Sequence, residues 1–174
     1  MKHLLFILCT LICFTTFAQK EPEFIGEVMI NKEPFKILDK EYPDTQIKPS
    51  AFGHKTFIAV SGSQATTRIP SGNCSLIVKC SDNASDPMTI ISIYKLKSKG
   101  KKRSVAISVD NWELGALGSA KTFSDNLQKF TGKRYGQSSY EITLNLDAGE
   151  YGIIVSNPNA VDEKITLISC FGVD

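Results

Sequence analysis

The sequence is poor in histidine, with only His3 and His54 in 174 residues. His3 lies in an N-terminal segment that has the character of a removable leader. Ser-His-Asp and Cys-His sites need an imidazole beside the nucleophile, and zinc sites need three or four converging ligands. The sequence therefore predicts no histidine-dependent catalytic centre and no metal site of this kind. We expect His54, at a loop-to-strand boundary, to be solvated.

Long apolar runs are absent beyond the first 18 residues. Lys2 precedes an apolar run, Leu4 to Phe17, and small residues at 16 and 18 suit the −3 and −1 positions of a signal-peptide cleavage site. We expect cleavage near Ala18, leaving a chain long enough for one domain with a real core. No later segment approaches the roughly 20 apolar residues of a spanning helix. The sequence predicts a secreted or periplasmic protein that does not span the membrane.

The chain also lacks a strong excess of charge of either sign. It has 20 Lys and Arg against 18 Asp and Glu, and Lys2 would leave with the leader. A nearly neutral chain gives no general basis for binding nucleic acid or for electrostatic capture at a membrane. The sequence contains no phosphate-binding glycine loop, and it predicts no cofactor.

Three cysteines remain after the leader: Cys74, Cys80 and Cys170. Secretion permits disulfides, but an odd number leaves at least one thiol without an intramolecular partner. Cys74 and Cys80 lie in one predicted strand, about 20 Å apart, which is too far for a bridge. Any disulfide therefore involves Cys170. The alternative is that all three are small buried apolar residues.

Apolar and polar residues alternate along most of the chain, which indicates β-strands. The predicted strands are Phe24–Ile30, Phe35–Leu38, Lys55–Val60, Thr66–Ile69, Cys74–Cys80, Met88–Lys97, Lys102–Val109, Tyr140–Leu146, Tyr151–Val155 and Ile165–Phe171. Residues 42–53, which include two prolines, are predicted to form a surface loop. Many short strands separated by turns predict an all-β sandwich.

The residues Asp147-x-Gly149-x-Tyr151, just before an apolar strand, resemble the tyrosine corner of immunoglobulin-like β-sandwiches. The resemblance extends from about Ser71 to the end. It departs from the antibody pattern, because Ile153 stands where the second cysteine is expected and the third strand lacks tryptophan. The resemblance is thus to the wider sandwich class.

This resemblance implies an immunoglobulin-like sandwich over residues 71–174, with residues 19–70 adding N-terminal strands packed on it. Cys74–Cys80 would be strand B and Ile165–Phe171 strand G. The start of B and the end of G lie at the same end of that topology. The resemblance therefore implies Cys74 and Cys170 as the pair for any disulfide.

A second resemblance is to a group of uncharacterised, secreted, β-rich bacterial proteins. It is carried by four segments: Asp86-Pro87-Met88-Thr89-Ile90-Ile91-Ser92-Ile93-Tyr94-Lys95, Lys133-Arg134-Tyr135-Gly136-Gln137-Ser138-Ser139-Tyr140, Gly149-Glu150-Tyr151-Gly152-Ile153 and Ser169-Cys170-Phe171-Gly172-Val173-Asp174. It implies the fold and the compartment, and it brings no activity.

Carboxylates offer two further kinds of chemistry. A facing pair could hydrolyse a glycoside without histidine, and the candidates are Asp110, Glu113, Asp125, Glu141 and Glu150. Asp82, Asn83 and Asp86 could supply the oxygen ligands that Ca²⁺ prefers. Surface acids and ordinary turn residues are the simpler interpretations, so we predict no catalytic residue and no metal.

Two groups of residues are candidates for binding. Lys97, Lys99, Lys101, Lys102 and Arg103 form a basic hairpin suited to an anionic surface, although lysines at a hairpin tip also keep an edge soluble. Trp112 and Tyr135, in predicted loops, could stack on sugar rings, or could pack within the core.

The sequence thus predicts a secreted, non-enzymatic interaction module whose partner is an unknown protein or glycan. The alternatives are a carbohydrate-binding module that uses Trp112 and nearby loop residues, and a hydrolase that uses a pair of carboxylates.

Overall fold

The computed structural model describes residues 19–50, 53–111, 119–122, 126–160 and 166–174, with side chains described at 19–49, 53–108, 126–160 and 166–174. The predicted leader and Trp112 lie outside the described residues. The described chain is all-β, with one four-residue helix, α1 (Pro87–Ile90), and no helix that could cross a membrane. The strands are β1 (Val28–Ile30), β2 (Lys36–Ile37), β3 (Asp39–Glu41), β4 (Asp44–Ser50), β5 (Gly53–Ser61), β6 (Arg68–Ile69), β7 (Gly72–Lys79), β8 (Ile91–Lys99), β9 (Lys102–Asn111), β10 (Ser119–Thr122), β11 (Thr131–Tyr135), β12 (Ser139–Leu146), β13 (Gly149–Val155) and β14 (Ile168–Val173).

The described strands form two sheets. Sheet A has the order β11–β12–β7–β1–β2. Sheet B has the order β3–β14–β13–β8–β9–β5–β4, with β10 beside β9 and β6 beside β14. The pairs are antiparallel except for β6 with β14. Strands before residue 71 pair with strands after it, β1 with β7, β3 with β14 and β5 with β9, so both halves of the chain build the same sheets.

The main core lies between the two sheets. Leu76 and Ile142 of sheet A and Ile93 and Phe171 of sheet B are fully buried in one cluster. Sheet B is curled, because β8 and β9 pair only over three residue pairs, Lys97–Lys99 with Ser104–Lys102. A second core fills the curl and includes Leu96, Val105 and Cys170. Strand β8 therefore packs on both cores, with Ile91 and Ile93 in the main core and Leu96 in the second, which explains why its apolar residues change from one face to the other.

The crossing from sheet A to sheet B lies between β12 and β13. Tyr151 donates a hydrogen bond to the carbonyl of Asp147 (2.8 Å), the bond that the tyrosine-corner motif predicts. The Tyr151 ring stacks on Phe171, with ring centroids 5.5 Å apart, and Lys95 Nζ lies 5.6 Å from its centroid. One hydrogen bond and the packing of the Tyr151 ring thus fix the connection between β12 and β13.

Several secondary-structure predictions are wrong, among them residues 24–27 of the predicted strand Phe24–Ile30, which form a turn before β1. Residues 44–50 of the predicted loop form β4, an edge strand, where a proline costs no ladder hydrogen bond if its nitrogen faces away from β5. Residues 88–90 of the predicted strand belong to α1. Asp86 caps this helix by accepting from the N–H of Met88, and Pro87 occupies its first turn.

The structure shows no Cys74–Cys170 bridge and matches the alternative of unpaired cysteines. All three described cysteines are free thiols. Cys74 packs against the main core, whereas Cys170 is buried in the second core, so the sheet B backbone separates the two environments. Burial raises the pKa of Cys74 to about 11 and that of Cys170 to about 12, which keeps both as thiols.

Candidate functional site

Several connections meet where β7 and β13 end and β8 begins. They are residues 80–90, which include α1, the turn 136–138, residues 156–160, and the N-terminal segment 19–26. We call this the loop end. Binding residues often lie on loops that a rigid sandwich holds in place.

The loop at 80–86 is tied to the hairpin of β11 and β12. Asn83 directs its side-chain amide at the carbonyls of Tyr135, Gly136 and Ser139, at 3.3–3.5 Å. The buried Tyr140 donates its hydroxyl to the carbonyl of Ser85. Burial, followed by nearby negative charges, raises the pKa of Tyr140, so it remains a donor. These contacts fix the loop against sheet A.

The N-terminal segment is tied to the same hairpin through Glu21. Its carboxylate accepts from the N–H of Gln137 (2.6 Å), the hydroxyl of Ser139 (2.6 Å) and the ammonium of Lys79 (3.0 Å). Burial alone would raise the pKa of Glu21, but these bonds outweigh it and lower the pKa to about 2. Gly136 has φ +55°, and a Cβ there would lie 1.8 Å from Glu21 Oε1, so the approach requires glycine.

An open groove of about 500 Å³ lies at this end, lined by residues 25–26, by the end of α1 and the start of β8, and by the residues that follow β13. Its polar groups are the side chains of Lys40, Thr89, Ser92, Ser156, Asn157 and Thr166. Apolar residues, among them Ile25, Ile90 and Ile154, complete the walls. Hydroxyl, amide and ammonium groups on an apolar floor suit a polar ligand that makes several hydrogen bonds.

The charge in the groove is modest. Lys40 Nζ lies 3.6 Å from Glu27 Oε1, and this ion pair partly neutralises the ammonium. The described part of the groove wall contains no carboxylate. In the described part of the chain, no three His, Cys, Asp or Glu side chains converge as metal ligands. The groove is therefore equipped for binding by hydrogen bonds and surface complementarity.

Most of the residues singled out from the sequence lie elsewhere. Tyr135 is half-buried on β11, and burial together with Glu141 and Glu21 raises its pKa. Trp112, Glu113 and Asp125 lie outside the described residues, as does the side chain of Asp110. The groove residues were missed because they come from separate strand ends, and no motif spacing links them.

The basic hairpin is at the end of the two sheets opposite the loop end. Lys97, Lys99, Lys101 and Lys102 are exposed, and Lys102 pairs with Asp44 at 3.2 Å. The prediction that Arg103 belongs to this exposed group is wrong, because its side chain is 2% exposed. It donates to the Glu41 carboxylate (2.7 and 2.9 Å) and to the carbonyl of Ser61 (2.8 Å). Arg103 is a structural residue.

The carboxylate candidates that the structure describes are engaged in separate places. Glu141, on the outer face of sheet A, pairs with Lys133 at 2.9 Å, and this bond contributes most to lowering its pKa. Glu150, on sheet B, accepts from the N–H of Ala65 (2.8 Å) and from Arg68 (2.8 Å). These two do not form a facing pair.

The residues considered for calcium have local roles. Asp82 accepts from the N–H of Ala84 (2.9 Å), and Asp86 caps α1. Asn83 ties the loop to the β11–β12 hairpin, as described above. Turn and cap bonds thus account for all three side chains.

Comparison with protein-family models, curated proteins and solved structures finds no match for this chain. The geometry is therefore the basis for assigning a function.

Proposed function

We propose that this protein is a secreted, non-enzymatic binding module that holds its ligand in the groove at the loop end. The observation that carries the proposal is the open groove of about 500 Å³, two of whose lining residues are joined by the bond from the Ser156 N–H to the Ile90 carbonyl (2.9 Å). Preorganised walls lower the ordering cost of binding. Cleavage near Ala18 is part of the proposal, and Gln19, the residue that follows this position, accepts from the N–H of Gly136 (2.8 Å).

The order of the strands supports an immunoglobulin-like sandwich as the scaffold. If β7, β8, β9, β12, β13 and β14 are strands B, C, C′, E, F and G, sheet B contains G–F–C–C′ in sequence. Sheet A then contains E–B, flanked by β11 as D and β1 as A. In that topology the loop end is where the B–C, D–E and F–G connections meet. The curled extension of β4 and β5 would be an addition to this scaffold.

The ligand class that the groove supports best is a neutral, hydrogen-bonding chain, either an oligosaccharide or an extended peptide segment. The lining hydroxyls and the Asn157 amide can both donate and accept, as such ligands require. Stacking on Tyr135 is not part of this site, and sugar stacking on Trp112 stays a prediction. Anion binding by the basic hairpin also stays a prediction. The exposure of Lys97, Lys99, Lys101 and Lys102 is compatible with it.

The test is a groove-filling variant, Ser156→Trp. Ser156 is exposed on the groove wall and its N–H donates to the carbonyl of Ile90 (2.9 Å), a bond that survives the change. We expect the protein spanning residues 19–174 to bind members of a neutral oligosaccharide array or a peptide array, and Ser156→Trp to weaken that binding at least tenfold.

The matched control is Ser71→Trp. Ser71 is exposed at the opposite end, and its N–H donates to the carbonyl of Asp174 (2.8 Å). It should bind like the unmodified protein. Equal binding by both variants, or amide shifts in an NMR titration that avoid Ser92, Ser156 and Thr166, would contradict the proposed site.

A further inference from the structure

Strand β4 (Asp44–Ser50) is a long exposed edge. All seven of its residues pair with β5, and the described residues supply no strand on its other side. Ile47 is 66% exposed on this strand. An edge of this length offers a row of backbone donors and acceptors to another strand.

The sequence of this edge is self-complementary about Gln46. The run Pro43-Asp44-Thr45-Gln46-Ile47-Lys48-Pro49 places a proline at each end, an acid opposite a base, and two β-branched residues around the centre. An antiparallel pairing of two such strands, with Gln46 on the two-fold axis, sets Asp44 against Lys48 of the second copy. The same pairing sets Thr45 against Ile47 of the second copy.

The backbone chemistry suits this register. Neighbouring residues of a strand point their N–H and C=O groups to opposite sides, and a proline in an edge strand keeps its nitrogen on the open side. With Pro49 facing outward, Thr45 and Ile47 also present their N–H and C=O groups outward. Each Thr45–Ile47 pair would then exchange two hydrogen bonds. The ladder would end before the prolines, because each ring takes the place of an N–H and keeps the facing carbonyl away.

The charges suit the same register. Within one copy, Lys48 lies directly opposite Lys55 of β5, an unfavourable pairing of like charges. Lys48 Nζ sits 4.8 Å from the centre of the Phe57 ring. Asp44 is 67% exposed and accepts from Lys102 through Oδ2. Asp44 of a second copy would bring a negative charge to Lys48, and symmetry repeats the contact.

We propose that β4 is a docking edge for a second copy of this chain, which forms a two-fold dimer through antiparallel β4–β4 pairing centred on Gln46. The interface is small, so the dimer is weak and depends on concentration. It joins the curled edges of two B sheets and leaves both loop-end grooves open.

Charge reversal tests the dimer. Asp44→Lys and Lys48→Asp each place like charges opposite one another, and sedimentation should show at least about tenfold weaker self-association than for the unmodified chain. An equimolar mixture of the two variants restores opposite charges at both contacts and should associate like the unmodified chain. Circular dichroism of each variant checks that it is folded.

A cysteine at the axis tests the register. Gln46→Cys places two thiols at a non-hydrogen-bonded pair, about 4.5 Å apart at Cα, a separation that a disulfide spans. Mild oxidation should convert it to a covalent dimer, whereas Lys48→Cys, matched with Asp44, should stay largely monomeric. A monomeric unmodified chain at all concentrations, no heterodimer from the charge mixture, or equal cross-linking of the two cysteine variants would overturn the proposal.

Discussion

The two ends of the molecule differ in how far charged side chains pair with one another, although each end combines ion pairs with bonds to the backbone. At the loop end, side chains bind the backbone of neighbouring connections: Asn83 and Tyr140 reach carbonyls, and Glu21 reaches amides. At the opposite end, which we call the ionic end, charged side chains bind one another: Arg103 with Glu41 and Glu150, and Arg68 with Glu150 and Asp174.

The difference matters for what each end can bind. Bonds from side chains to backbone fix the loop before α1 and the N-terminal segment, and the open groove lies beside them. The ionic network instead fills the space between β3, β9 and β13 with a guanidinium and two carboxylates. The open space at the loop end is why we propose that end for ligand binding, whereas the ion pairs at the other end close the fold.

The largest expected effect comes from breaking the ionic end at Arg103. Arg103→Ala leaves the carboxylate of Glu150, whose side chain is 8% exposed, and that of Glu41 without this cation. Losing one partner of a buried ion pair costs about 3–5 kcal/mol. We expect the free energy of unfolding to fall by that amount in urea titrations followed by circular dichroism.

The neighbouring Lys102→Ala is the matched control. Lys102 is 52% exposed and its partner Asp44 is 67% exposed. Exposed pairs contribute about 0–1 kcal/mol. Equal losses in the two variants would mean that Arg103 does not hold this end together.

The intermediate effect comes from the loop end, at Glu21. Glu21→Gln keeps the shape but weakens charge-assisted bonds, which contribute about 1.5–3 kcal/mol each to stability, so we expect a loss of about 2 kcal/mol at pH 7. The pKa of Glu21 falls from 4.5 to about 2 on folding, so its contribution is complete above pH 4.5 and is lost as the pH falls towards 2.

The measurement is the free energy of unfolding of both proteins between pH 7 and pH 2. The gap between them should be constant above about pH 5 and should shrink below it. A gap that does not change with pH would show that the charge of Glu21 is not what ties the N-terminal segment. Glu23→Gln is the control, because Glu23 is exposed in the same segment.

The sequence predicted the strands well where one face is buried. Alternation at 140–146 matches β12 because its odd positions face solvent and its even positions face the core. Pro43 before β4 and Pro49 within it suggested a loop, since a ladder bond is lost at proline unless its nitrogen points away from the sheet. Only the sheet order shows that β4 is at an edge.

The site was not predictable in the same way. Lys40, Ser92 and Thr166 meet in the groove because three strand ends converge, and no sequence spacing encodes that convergence. Arg103 looked like part of a lysine cluster because its acidic partners, Glu41 and Glu150, are distant in sequence. Local pattern thus fixes strands, whereas long-range pairing decides which polar residues are buried.

The smallest expected effect comes from deleting one tyrosine hydroxyl at each end. Tyr140→Phe and Tyr151→Phe remove the same atom from rings that are 2% and 1% exposed, and each loses one hydrogen bond to a backbone carbonyl. Each should lower the free energy of unfolding by about 1 kcal/mol, so stability alone does not distinguish them.

Hydrogen exchange does distinguish them. The Tyr140 bond holds the loop at residue 85 against sheet A, so Tyr140→Phe should speed exchange of amides at 82–86 and weaken ligand binding in the groove. Tyr151→Phe loosens the crossing at residue 147 and should leave both unchanged. If the two ends have separate roles, the two variants should have equal stability but should differ in exchange at 82–86 and in ligand binding. Equal exchange and equal binding in both variants would contradict that separation.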